Sequence, residues 1–266
     1  MIAAFLLALA SLAQAAVVPL PQAHSHNDYL QARPLFDALD RGFCSVEADV
    51  HVRGTELLVA HTGDEIKPGL TLQKLYLDPL LARVRANGGQ VYPGGPTFLL
   101  LVEFKSGGDE SWQLLREQLA TYEEMLTVFT ATATFPRAVT IAITGRRPGT
   151  IFRAEPRRLA ALDGGYIDRN SSHPTLYPVV SGNWSSIFQW RGGRMTPEEK
   201  QRLERAVSDA HGHARMIRFW GAPDRRDAWR LQRDAGVDLI NTDKLEELKN
   251  FLLAPPGAEK PEPQTP

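Results

Sequence analysis

Short apolar runs that alternate with polar positions recur along this chain. Between them lie stretches in which apolar residues return every three or four positions. The first pattern is the period of a strand, the second that of an amphipathic helix. Strands are predicted at Gln22–His26, Ser45–His51, Thr97–Lys105, Ala138–Thr144, Gly165–Arg169, Tyr177–Gly182, Met216–Trp220 and Val237–Thr242. Helices are predicted over Arg33–Arg41, Leu72–Ala86, Glu110–Leu126, Glu198–Ala210 and Arg225–Ala235. Thr196-Pro197-Glu198-Glu199 adds a capping box with Pro at the first helical position. Eight strands alternating with helices predict an α/β fold, a single-domain (β/α)8 barrel. A doubly wound sheet is the alternative architecture.

Successive side chains on a strand point to opposite faces. Over Ser45–His51 this sends Val46, Ala48 and Val50 toward the helices, and Glu47, Asp49 and His51 to the other side. Over the third strand Leu100, Val102 and Phe104 share one face, and Leu99, Leu101, Glu103 and Lys105 the other. The inward faces thus gather three carboxylates, and Glu103 stands at the C-terminal end of its strand, where barrel active sites lie. Carboxylates confined together repel unless a cation or protons neutralise them. Glu47, Asp49 and Glu103, with the Asn27 amide oxygen, are hard ligands suited to Ca²⁺ or Mg²⁺.

His61 ends Leu57-Leu58-Val59-Ala60, which follows Arg53-Gly54-Thr55. A hairpin centred on Gly54 would set residue 61 opposite residue 47. His24 and His26 share a face, so either could enter the site. His173, His211 and His213 read as surface residues. On the seventh strand, Arg218 could neutralise a phosphate oxygen and Trp220 could form an apolar or stacking wall.

The whole chain has 266 residues, one cysteine (Cys44) and a formal net charge of −1 with no basic block. A nucleic-acid footprint is not expected. Residues 1–15 read as a signal peptide, with an apolar core at Phe5–Ala10 and Ala13-Gln14-Ala15 as the cleavage site, implying a secreted or periplasmic protein. Residues 16–253 would form the barrel, and 254–266 a disordered, proline-rich tail. A lone cysteine excludes a disulfide-stapled fold, so stability must come from an apolar core.

Ser25-His26-Asn27-Asp28-Tyr29 resembles the Ser-His-Asn-x-Tyr signature of phosphoinositide-specific phospholipases C. Glu47-x-Asp49, His61 and Glu103 follow in the order of that family's remaining ligands and second histidine. Glu-x-Asp, His and Glu103-x-Lys105 are also similar to the glycerophosphodiester phosphodiesterases, as is Gly236–Asp243 to their last strand. Spider-venom sphingomyelinase D enzymes share much of this layout. His24–Tyr29 and Ser45–Asp49 resemble most the fungal "altered inheritance of mitochondria" proteins and their bacterial relatives. The similarity covers roughly residues 22–105 and 215–243, within the phospholipase-C-like phosphodiesterase superfamily. It implies a phosphoric diester hydrolase acting on a small-molecule or lipid diester, a phospholipid or its head-group diester, with transient membrane-surface contact. His26 and His61 would be its acid–base pair, and Asn27, Glu47, Asp49 and Glu103 its metal ligands. Lys105, Arg218 and Trp220 would bind substrate. The His-Arg-Gly opening of the glycerophosphodiesterases is absent, which leaves the diester open. A glycerophosphodiester phosphodiesterase and a non-catalytic metal- or ligand-binding barrel are the alternatives. A carboxylate-pair glycosidase fits the fold but not the histidines.

Overall fold

The computed structural model describes residues 17–173 and 175–255. The signal-peptide expectation and nearly all of the tail lie outside them. Eight parallel strands follow one another around a nearly closed barrel: β1 Leu20–Ser25, β2 Phe43–Arg53, β3 Phe98–Phe104, β4 Val139–Gly145, β5 Ala161–Gly165, β6 Val179–Asn183, β7 Met216–Trp220 and β8 Ile240–Thr242. The ring is shut between β7 and β8 by a single bridge, Arg218 to Leu239. Helices α1 Phe36–Leu39, α2 Asp78–Ala86, α3 Gly108–Ala120, α4 Thr150–Ala154, α5 Trp184–Ile187, α6 Pro197–Gly212, α7 Arg226–Ala235 and α8 Leu245–Leu253 lie between and after the strands.

The period-two alternation sets the layers. Val46, Ala48, Val50, Leu100, Val102 and Phe104 belong to the large apolar layer between strands and helices. Leu99, Leu101, Ala142, Val179 and Leu239 form a separate plug inside the barrel. Beyond that plug, toward the C-terminal ends of the strands, the inward positions become Glu47, Asp49 and Glu103. Register fixes this level, because β2 and β3 pair Asp49 with Glu103 directly. Among the described residues no helix is long and apolar enough to cross a membrane.

Several sequence expectations shift: the helix expected over Arg33–Arg41 shortens to Phe36–Leu39, that over Glu110–Leu126 ends at Ala120, and the last strand, expected from Val237, starts at Ile240. The fifth strand, expected at Gly165–Arg169, runs over Ala161–Gly165, and Tyr166–Asn170 is a 3-10 turn. Asp168 stops the strand by accepting a 2.8 Å hydrogen bond from the Gly165 amide. The helix expected over Leu72–Ala86 is a π turn, Gln73–Leu77, running into α2. The hairpin after β2 pairs Val50 with Val59 and Arg53 with Glu56. Its turn is therefore centred between Gly54 and Thr55, and extending that register would set residue 61 opposite 48 rather than 47. His61 escapes the resulting change of face because the hairpin strand, Glu56–Val59, ends two residues before it.

Candidate active site

Glu47, Asp49 and Glu103 each bring a carboxylate oxygen within 4.8 Å of the others. Glu47 and Asp49 are buried and Glu103 is half-buried. Two cations of the chain already touch them. Lys105 Nζ lies 2.9 Å from Asp49 Oδ2 and 2.7 Å from Glu103 Oε1. Arg218 Nη1 donates to Glu47 Oε2 at 2.9 Å, and its Nε donates to Ser181 Oγ at 3.0 Å. Lys105 and Arg218 thus touch the acids and, with Trp220, also line the cavity above them.

Burial alone would raise the Glu47 carboxyl, but the Arg218 guanidinium holds it well below the usual carboxylate range. Glu103 moves the other way. Its burial, reinforced by Asp49 and Glu47, outweighs the Lys105 ammonium and raises it. Asp49 Oδ1 is buried without a hydrogen-bond partner. Three hard carboxylates with a buried, unpartnered oxygen fit a divalent cation such as Ca²⁺ or Mg²⁺.

The two N-terminal histidines separate by depth. His24 is fully buried inside the barrel, with Nδ1 2.6 Å from Ser45 Oγ and Nε2 2.9 Å from Arg218 Nη1. A guanidinium can only donate, so Nε2 is the bare nitrogen and Nδ1–H donates to Ser45. Burial pushes His24 down to about 4, which keeps it neutral. It braces the Arg218–Glu47 pair and does not reach the mouth.

His26 follows the end of β1 and lines a cavity of about 730 Å³ together with Glu47, Glu103 and Lys105. Its Nδ1 lies 2.9 Å from Asp243 Oδ1. Burial would depress His26, but the hydrogen bond to Asp243 and the charge of Glu47 outweigh it and raise its pKa. His61 approaches from the hairpin, with Nδ1 3.0 Å from Asp49 Oδ2. It touches the acid cluster through Asp49 but is not part of the cavity wall. Each imidazole is therefore held at Nδ1 by a carboxylate, and that fixes Nε2 as the nitrogen left for chemistry.

Asn27 adopts a left-handed backbone, φ 45°. The Tyr29 hydroxyl connects it to the cluster, at 3.0 Å from Asn27 Oδ1, 2.8 Å from Asp49 Oδ2 and 3.1 Å from His61 Nδ1. Burial and the adjacent Asp49 charge raise the Tyr29 phenol, so it remains a neutral donor. Asp28 turns inward as the anchor of this loop, accepting from Ser25 Oγ at 2.7 Å, the Leu35 amide at 2.5 Å and the Tyr76 hydroxyl at 3.1 Å. His51 is buried in β2 opposite Leu58, away from the cavity.

Four residues of the site escaped the sequence argument. Tyr29 lay within the quoted motif, and Asp243 closes the Asn241-Thr242-Asp243 strand end, so both had a local signal. Arg147 and Asp163 had none. Asp163 is buried on the cavity floor, 4.0 Å from Arg218, and burial raises its carboxyl despite that charge. Arg147 follows Gly145, whose φ of +69° turns the chain over β5. A Cβ at Gly145 would lie 2.7 Å from both Glu103 Cγ and the Phe104 carbonyl oxygen, so only glycine fits. Arg147 lines the cavity and donates to the Asp163 carbonyl at 2.8 Å, with Asp168 at 3.8 Å.

Comparison with known proteins places the chain in a family. Residues 12–159 match the model of the AIM6-like phosphodiesterase domain, and residues 216–246 match that of the glycerophosphoryl diester phosphodiesterase family. Altered inheritance of mitochondria protein 6 from Eremothecium gossypii is 29% identical over 274 residues, covering 87% of this chain and 69% of that protein. The homologue from Arthroderma benhamiae is 25% identical, covering 89% of this chain and 85% of its own length. A glycerophosphodiester phosphodiesterase from Parabacteroides distasonis shares the fold at a TM-score of 0.54 and 16% identity, over 87% of this chain and 96% of that one. An Oleispira antarctica phosphodiesterase solved with its product sn-glycerol-3-phosphate does so at 0.53 and 13%, over 88% and 98%. With more than half of its length matched by one family model, the chain belongs to the AIM6-like phosphodiesterase domain family.

Proposed function

We propose that this protein hydrolyses a phosphodiester by acid–base catalysis between His26 and His61, assisted by a divalent cation. The observation that carries the reading is the pair of imidazoles, each anchored at Nδ1 by a carboxylate, meeting one acidic cluster. Asp49 belongs to that cluster and holds His61, while His26 shares a cavity with Glu47 and Glu103.

One histidine takes a proton from the attacking water as the water oxygen bonds to phosphorus. The other gives its Nε2 proton to the departing alkoxide as the second P–O bond breaks. Asp243 and Asp49 keep the rings oriented and stabilise whichever one is protonated. Arg147, lining the same cavity with its Nε and Nη2 free of hydrogen bonds to the described residues, is the cation best placed to hold the phosphoryl oxygens. Lys105 and Arg218 keep the acids from repelling one another before the cation binds. A Ca²⁺ or Mg²⁺ ion held by Glu47, Asp49 and Glu103, with Asn27 completing the sphere, would stabilise charge on the phosphoryl oxygens and acidify the nucleophile.

The test is hydrolysis of bis(p-nitrophenyl) phosphate by the purified protein, with EDTA and after adding each metal. Turnover should require the metal, and His26→Ala and His61→Ala should each lose about 10²–10⁴-fold with unchanged circular dichroism. Near-full turnover by either variant rejects the scheme.

A further inference from the structure

The barrel mouth has two unlike halves. In the ring of eight strands, β5, β6 and β7 stand four places from β1, β2 and β3, directly across the opening. The β1–β3 half carries the imidazoles, the acids and Lys105. The segments following β5 and β6 contribute Tyr166, Ile167 and Ile187 to the same cavity, and the end of β7 contributes Trp220. Ile167 is 86% exposed and Trp220 43% exposed.

Neither exposure serves the fold. The turn carrying Ile167 is fixed by Asp168 on the Gly165 amide, which leaves the isoleucine facing outward. Gly182 lets this wall lie close to the strands, since a Cβ there would meet Ile187 Cδ1 at 2.6 Å and Tyr166 Cδ2 at 3.2 Å. Ser181 and Asn183 have local duties along the wall, Ser181 Oγ accepting from Arg218 Nε at 3.0 Å. Asn183 Oδ1 accepts from the Ser185 amide and hydroxyl at 2.9 and 3.0 Å, capping α5. Large apolar side chains nevertheless face water across the mouth from the acids. Exposed apolar surface continuous with a polar cavity marks a ligand that is itself half apolar.

We propose that the β5–β7 half of the mouth seats the hydrocarbon chain of a single-chain amphiphilic phosphodiester, whose polar end lies over the acids. This rests on the phosphodiesterase reading above and adds the substrate class. The cavity, at about 730 Å³, is sized for a ligand much larger than a phosphate group.

Trp220 supplies the readout, because Trp112, Trp184, Trp190 and Trp229 are all at most 4% exposed. The full chain, held in EDTA to prevent turnover, is titrated with glycerophosphocholine and with butyl-, octyl- and dodecylphosphocholine as monomers. Tryptophan emission should shift to the blue with the alkyl compounds only, and Trp220→Phe should silence the shift. Affinity should rise about two- to fourfold per methylene seated on the wall. Ile167→Asp should shrink that increment, while Leu253→Asp, an exposed residue at the end of α8, should leave it intact. Equal affinity for the chain-free and dodecyl compounds overturns the proposal, as does a shift seen only with micelles or vesicles.

Turnover with added metal separates this inference from the catalytic one. Lysophosphatidylcholine monomers should be preferred over glycerophosphocholine by more than about tenfold in kcat/KM. Equal cleavage of both refutes the chain subsite and leaves the phosphodiesterase standing. Chain-dependent binding without cleavage of any diester supports the subsite and strikes at the catalysis.

Discussion

Replacing Arg218 by Met tests whether the acid cluster is held together by the chain's own cations. The side chains of Arg218 and Glu47 are each 3% exposed, and 2.9 Å separates their charged groups. With an effective dielectric of ~20, that contact is worth about 6 kcal/mol of attraction, and the 4.0 Å approach to Asp163 about 4 kcal/mol. Most of this offsets the desolvation of a buried guanidinium, so the wild-type pair adds little net stability. The variant keeps the burial of Glu47 and Asp163 and loses their counter-charge, which typically costs about 3–5 kcal/mol. For a domain of this size that lowers Tm by on the order of 10 °C.

Thermal unfolding followed by circular dichroism, without metal, measures the effect. At pH 7 the variant should melt well below the wild type. The gap should narrow toward pH 5, because unpaired buried carboxyls bind protons more tightly folded than unfolded. In a Glu47→Gln background, Arg218→Met should cost less, since one stranded charge has already gone. A variant melting within about 2 °C of the wild type at pH 7, with a gap that ignores pH, would refute the reasoning.

Three further outcomes follow from the same geometry. Ca²⁺ or Mg²⁺ at about a hundred times its Kd should stabilise the wild type by about 2.7 kcal/mol; Asp49→Asn and Glu103→Gln should abolish the shift in differential scanning fluorimetry, and no shift in the wild type would discount the cluster as a metal site. Burial pushes the Asp28 carboxyl from 3.8 to about 6 despite its three hydrogen bonds. Folding therefore favours its proton, and stability should fall by on the order of 3 kcal/mol as pH rises through that window. Asp28→Asn, able to donate to Ser25 and accept from Leu35 and Tyr76, should flatten that slope in urea titrations; an unchanged slope would remove Asp28 as its source. Gly145→Ala should cost about 1–3 kcal/mol and displace Glu103, so denaturation at wild-type midpoint with normal metal affinity would contradict the steric argument.

Much of the barrel was legible because each strand carries its own period. Met216–Trp220 was read to the residue, and Val46, Ala48 and Val50 divide from Glu47 and Asp49 as alternation requires. Thr196 caps α6 through the Glu199 amide, one half of the expected capping box, while the Glu199 carboxylate accepts instead from the Gln189 and Trp190 amides. Where alternation fades, boundaries slipped. Gly164-Gly165 carries no side-chain signal, and the following Tyr-Ile looked like a strand until Asp168 turned it.

The sequence alone determined that three acids share inward faces and that histidines accompany them, since a strand's alternation is local. Only the assembled barrel set His26 at the cavity and His24 beneath it. They share a face, but one lies below the rim and the other above it, and depth depends on the relative stagger of all eight strands. The same long-range assembly set Arg218 from β7 against Glu47 from β2, brought Asp243 to His26, and placed Arg147 and an apolar half-rim over the cavity. A buried charge takes its partner from whatever strand the closed ring brings near, and separation along the chain says nothing of that.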